Sequence, residues 1–392
     1  MHYAVPAILA QSGMLERLYT DICAPRLPRP LQTLAYRMGP PSVRRWFGRI
    51  PAGIPVHKIT SFDAMGLEYY RRLKCAPNPE AKTAAVLWAG KELSRRVIQR
   101  GLGKAQSVYT YNSAGLELLL YARDRGLFAV SEQTSAPERI YQAILHQEQA
   151  NYRRWSVSSG NNSSIPAYIE REETEWSAAN MILCGSEFVR DCIRSMGAPV
   201  ERCLVVPYGI RPSISVELRD RPHKPMRVLT VGAVKVMKGA PYLLAAARAL
   251  KGKVEFRMVG QIDVTPYAQK LLSEHVTLLG GVPRSEIHRQ FAWADVFLLP
   301  TLCEGSATVC YEALSNGLPV ITTPNAGSVV RDGVDGFIVP IRDATAIADR
   351  VERLLDDDDL WTEMSANARL RAMDYSLERY GERLLQTLTD AG

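Results

Sequence analysis

Two glutamates, Glu304 and Glu312, stand with seven residues between them in the stretch Thr301-Leu302-Cys303-Glu304-Gly305-Ser306-Ala307-Thr308-Val309-Cys310-Tyr311-Glu312. The apolar run 295–300 before them reads as a buried strand, and the pattern after them is helical until about Gly317. Glu304 is therefore expected on a loop at a strand end, and Glu312 on the helix behind it. The backbone N–H groups of Ser306, Ala307, Thr308 and Val309 would form that helix's open start. Such a start carries unpaired donors and partial positive charge, which suits phosphate. Gly305, Ser306 and Ala307 are small enough to let a ligand approach the backbone.

A second loop adds a cation. Strand 227–231 runs into Gly232-Ala233-Val234-Lys235-Val236-Met237-Lys238-Gly239. Lys238 and the amides of 306–309 could together meet negative charge developing on a departing phosphate oxygen. Both loops follow strands, where open α/β sheets bind ligands. With Lys238 and these amides to meet that charge, no divalent metal and no cofactor is required, and no Asp-x-Asp motif is suitably placed.

Glu-Gly in front, Glu-Ala-Leu behind, and Lys238 directly before Gly239 give a pattern that resembles the family-four, or group 1, retaining glycosyltransferases. The resemblance implies the GT-B fold, an α/β architecture of two Rossmann-like doubly wound domains facing across a cleft. It implies a nucleotide diphosphate sugar as donor and front-face transfer with retention of anomeric configuration. By the same resemblance, Glu304 touches the donor sugar and Lys238 the leaving group, both catalytic. Glu312 holds the ribose, and Gly281, Val282 and Pro283 lie near the base. The family places an arginine where this chain has Ala233; Lys235, two residues on, offers charge without arginine's bidentate geometry. The family's histidine at a first-domain strand end is absent from Ser131-Glu132-Gln133-Thr134, and Gln133 is the acceptor-side substitute. The implied activity is transfer to a carbohydrate or lipid-linked acceptor, in cell-surface polysaccharide or glycolipid synthesis.

The 392 residues suffice for two domains, with 46% hydrophobic and 23% charged residues. No apolar run approaches the ~18 residues a membrane span needs. Seven cysteines without a Cys-x-x-Cys pair argue against a disulfide framework or zinc site and for a reducing cytoplasm. The net charge of +7 permits an anionic partner. Segment 23–62 has basic residues among aromatics and no acid before Asp63, which suits the inner face of an anionic membrane as well as a packed basic loop. No nucleic-acid-binding module accompanies the charge.

Alternating strand and helix patterns divide the chain into residues 1–207, a linker 208–225, and residues 226–374, with helix 375–392 crossing back to the first domain. The first domain is the expected acceptor side and the second the donor side. The first strand of the N-terminal half is missing from the pattern: residues 3–12 already read as the helix that should follow it, and 15–22 as the next strand. The natural chain is accordingly expected to begin earlier than Met1. A nicotinamide oxidoreductase would need Gly-x-Gly-x-x-Gly in the first turn, and none exists. A sugar-nucleotide epimerase and a non-catalytic sugar-nucleotide-binding protein share the implied scaffold.

Overall fold

The computed structural model describes residues 3–23, 51–155, 162–212 and 222–391. Most of the basic segment expected to meet a membrane, residues 24–50, lies outside them. The first half contains α1 (Ala4–Gln11), β1 (Leu18–Thr20), β2 (Ile59–Ser61), α2 (Asp63–Cys75), α3 (Pro79–Arg100), β3 (Ser107–Tyr111), α4 (Leu116–Arg123), β4 (Phe128–Gln133), α5 (Glu138–Asn151), α6 (Ile165–Ala178), β5 (Met181–Cys184), α7 (Glu187–Ser195) and β6 (Cys203–Val205). Its strands form two parallel ladders, β1-β2 and β3-β4-β5-β6. Among the described residues no strand joins β1 to β3. The strand expected over 15–22 shortens to three residues. Helix α3 begins at Pro79 because Asn78 caps it through the Ala81 amide and Pro79 sits in its first turn, where its missing N–H costs nothing.

The second half contains β7 (Met226–Val231), α8 (Ala240–Ala249), β8 (Val254–Val259), α9 (Pro266–Ser273), β9 (Val276–Leu278), α10 (Ile287–Trp293), β10 (Val296–Leu299), α11 (Thr308–Ser315), β11 (Val320–Thr322), β12 (Gly336–Ile338), α12 (Ala344–Asp356) and α13 (Asp358–Asp374). Its strands lie in the order β12-β11-β10-β7-β8-β9, all parallel. The order reverses between β7 and β10, so the loops leaving those two strands diverge around a crevice. Strand β10, Val-Phe-Leu-Leu, is buried throughout, as a sheet covered on both faces requires.

The last helix, α14 (Leu377–Asp390), leaves the second half and packs on the first. Its Tyr380 and Leu384 join Val5, Val130, Met181, Leu183, Val206 and Tyr208 in one core. Burial of each such side chain contributes about 1.5–3 kcal/mol. Ile210 bonds to both Tyr375 and Leu377, which fixes where the chain crosses. No described helix is long and apolar enough to cross a membrane.

The first half also buries carboxylates. Glu175 accepts the Ser113 amide at 2.6 Å and the Gly115 amide at 3.0 Å, ahead of α4. Burial pushes its pKa up to about 7, with Arg171 opposing. An acid raised above its unfolded value binds its proton more tightly in the folded state. Its contribution is therefore full below the unfolded value of 4.5 and is lost as pH rises through about 7. Burial raises Glu132 and Glu172 in the same direction. Urea midpoints are expected to fall from about pH 5 to about pH 8, and Glu175→Gln to flatten that slope; a wild-type midpoint that rises over this range contradicts the assignment.

Candidate active site

The site forms where the loops after β7 and β10 meet. Gly239, at φ 78°, closes a 3-10 turn over Val236–Lys238. A side chain there would collide with the Pro300 carbonyl at the end of β10, so the turn packs directly on the neighbouring strand end. The two loops are also bonded: Leu302 N donates to the Met237 carbonyl at 3.0 Å, and Thr301 Oγ1 donates to it at 3.1 Å. This junction brings Lys238 Nζ onto Glu304 Oε1 as an ion pair. Thr301 Oγ1 also lies 3.0 Å from the same carboxylate oxygen, so its single proton is shared between that oxygen and the Met237 carbonyl. The two charged side chains are 21% and 19% exposed, open to the crevice but largely enclosed.

Helix α11 starts at Thr308. The Ala307 amide is not an open donor, contrary to the sequence expectation, because it donates to the Ala326 carbonyl at 3.0 Å. The amides of Ser306, Thr308 and Val309 make no bond to other described residues and remain available at the helix start. Gly305 also has a different reason for being small. A side chain there would collide with the Thr134 carbonyl of the first domain. Ser186 Oγ donates to the Gly305 carbonyl at 2.5 Å, and Ala136 N to the Glu304 carbonyl at 3.1 Å. The glutamate loop is thus clasped by the opposite domain.

Glu312 lies on α11 and meets Arg284 Nη2 at 3.3 Å. Burial raises its pKa, with Arg284 opposing. Arg284, which follows Pro283 directly, was not singled out from the sequence; a cation immediately after that loop was the available signal. Gly281, Val282 and Pro283 lie in the loop that leads into Arg284, and Gly281 borders open space. Arg284, Thr308 and Glu312 line one end of a cleft of about 1050 Å³, which continues past Gly209 and Arg211 to α1 and α14. Lys235 is partly exposed at the start of the Val236–Lys238 turn.

Gln133 is the misplaced residue of the expected set. It is fully buried; its Nε2 donates to Glu172 at 2.7 Å and its Oε1 accepts from Trp176 at 2.9 Å. Alternation along β4 turns it into the layer beneath α6, so it cannot reach an acceptor. The residues that do face the glutamate loop are the next ones, Thr134 to Ala136.

Residues 225–357 match the family described as glycosyl transferases group 1. The amylovoran biosynthesis glycosyltransferase AmsK of Erwinia amylovora is 34% identical over 177 residues, 41% of this chain and 44% of its own. The alpha-D-kanosaminyltransferase of Streptomyces kanamyceticus is 31% identical over 190 residues, 45% of this chain and 49% of its own. The chain thus spans about half the length of these relatives. Among solved structures, sucrose-phosphate synthase from Thermosynechococcus elongatus superposes with a TM-score of 0.62 at 18% identity, covering 98% of this chain and 92% of its own. Anabaena HepE, solved in complex with UDP and glucose, superposes with a TM-score of 0.59 at 14% identity, covering 96% of this chain and all of its own. At those identities the likeness is one of fold. Lys238, Glu304 and Glu312 thus lie inside the segment that matches the group 1 glycosyltransferases, and the two Rossmann-like domains around them have the GT-B fold.

Proposed function

We propose that this protein is a retaining, metal-independent glycosyltransferase. It moves a sugar from a nucleoside diphosphate sugar to a carbohydrate or lipid-linked acceptor, in the synthesis of a cell-surface polysaccharide or glycolipid. One observation carries this reading: Lys238 and Glu304 are paired at the reversal point of the second sheet, beside the free amides of Ser306, Thr308 and Val309.

In this reading the nucleotide lies along the end of the cleft that holds Arg284 and Glu312. Glu312 accepts the ribose hydroxyls, and the Gly281–Pro283 loop borders the base. The donor's diphosphate faces Lys238 and the helix start, with Lys235 as a second cation. When the bond from the anomeric carbon to the phosphate oxygen breaks, its electron pair stays on that oxygen. Lys238 and the amides stabilise the charge in place, without reorganisation. The acceptor hydroxyl attacks from the same face, and its proton passes to the leaving phosphate oxygen. Glu304, held by Thr301, orients the sugar. The first domain supplies the acceptor side, beginning at Thr134–Ala136, which already touch the glutamate loop. Names among the relatives, such as amylovoran biosynthesis, support a polysaccharide or glycolipid setting. A location at the inner face of the membrane rests on the basic composition of 23–62.

Lys238→Ala and Glu304→Ala are each expected to lower turnover by ~10²–10³, the scale for losing one pre-organised charge-stabilising group. Each leaves its partner one-fifth exposed rather than sealed, so melting temperatures should stay near wild type. Wild-type turnover in either folded variant removes that residue from the mechanism. A thermal-shift screen of UDP, GDP and other nucleoside diphosphates should find one that stabilises the protein, by about 2.7 kcal/mol at a hundredfold excess over its Kd. That stabilisation and the turnover should both persist in EDTA; loss of turnover restored by a divalent cation would end the metal-independent reading.

A further inference from the structure

Helix α5 belongs to the first half by sequence but packs one face on the second. Tyr141, Ile144 and Leu145, with Tyr152 and Trp155 just beyond, pack in the same core as Val234, Val236, Met237, Ala240, Leu302 and Cys303. Those are the residues that support the two site loops. At the helix entrance, Ala136 N is bonded to the Glu304 carbonyl. The first turn remains tied to its own domain: Glu138 N donates to Glu172 at 2.8 Å, and Arg139 pairs with Glu173 at 2.7 Å. Near the other end the stripe of 141, 144, 145 and 152 is interrupted by a charge. Glu148 has no exposed surface. It accepts from Arg342 Nε at 2.6 Å and from Tyr242 OH at 2.8 Å, and both partners lie in the second domain.

A fully buried carboxylate is held only where its partners are fixed. Arg342 takes φ 68°, the left-handed region that a non-glycine residue rarely adopts without tertiary constraint. Tyr242 stands on α8, one turn past Lys238. Tyr152 packs edge-on against Tyr242 at 5.6 Å. The next segment is anchored too: the Trp155 carbonyl accepts the Thr265 amide at 3.0 Å, and Arg154 lies 3.7 Å over the Tyr267 ring.

We infer that α5 is a brace across the domains, and that the Glu148–Arg342–Tyr242 cluster is its anchor and a set of positioning residues for the Lys238–Glu304 pair. The helix touches the Glu304 loop at its entrance and the Lys238 turn along its body. Fixing its far end therefore fixes both loops relative to each other. None of the three anchor residues lies in the cleft, so they act through the loops and not on the substrate. The inference rests on the function proposed above only for what the pair does, not for how it is held.

Hydrogen exchange on the full chain tests it. In Glu148→Gln and in Arg342→Lys, amides of 236–240 and 303–307 should exchange about tenfold faster, while those of β7 and β10 keep their wild-type rates. With any nucleotide sugar the wild type turns over, kcat should fall about tenfold and the donor KM change less than about threefold. Tyr242→Phe, which keeps the ring and removes one bond, should give the same pattern more weakly, and it remains informative should either charge variant fail to fold. Unchanged exchange in both loops of folded variants overturns the brace. Uniform acceleration across the whole second sheet also overturns it, since that is general destabilisation. Wild-type turnover by Glu304→Ala would instead remove the proposed function and leave the exchange result standing.

Discussion

The loops that leave β7 and β10 are bonded to each other without any ligand. Strand order reverses between these strands, so their following connections run to opposite sides and would separate if nothing held them. The Met237 carbonyl, which receives Leu302 N and Thr301 Oγ1, and the close seat of Gly239 on Pro300 hold them together. Lys238 and Glu304 meet as a consequence. Two charges brought that close in a partly enclosed crevice attract more strongly than in water, and a ligand's phosphate would enter a field already oriented.

A second constraint acts across the domains. Gly305 has backbone of the first domain against its face, and Ser186 and Ala136 bond the flanking carbonyls. The glutamate loop is therefore built by one domain and shaped by the other. Helix α14 and Ile210 set the crossing at the far side, while α5 sets it next to the site. The open part of the cleft lies between these contacts, where Arg284, Glu312 and Arg211 face space.

Charge is distributed to match. The net excess of basic residues favours anionic ligands at long range. Inside the first domain the buried charged groups are instead mostly carboxylates, with Arg171 beside them. Glu132 is held by Tyr109 and Tyr208 hydroxyls, Glu172 by Gln133, Asn112 and a backbone amide, and Glu175 by backbone amides and Arg171. Each is satisfied by hydrogen bonds, as a buried acid must be. These networks fix the ends of β3 and β4, from which the 134–136 segment that meets the Glu304 loop emerges.

The sequence by itself determined the alternation of strand and helix, the parallel second sheet, and the placing of Glu304 on a strand-end loop with Glu312 on the following helix. Apolar runs such as Val296–Leu299 are local signals, and glycine before a helix is another. It did not disclose Gln133's burial, since alternation on β4 says that neighbours face opposite sides but not which side meets the cleft. It could not show that Ala307's amide is spent on Ala326, or that Gly305 is small for the sake of Thr134. Nor could it show that Glu148, a charge in an otherwise apolar helical stripe, is paired with Arg342, 194 residues away. Those outcomes depend on which surfaces touch after the chain has closed on itself. Residue type and spacing encode what each segment can do alone, while contact across domains is set by packing of the whole.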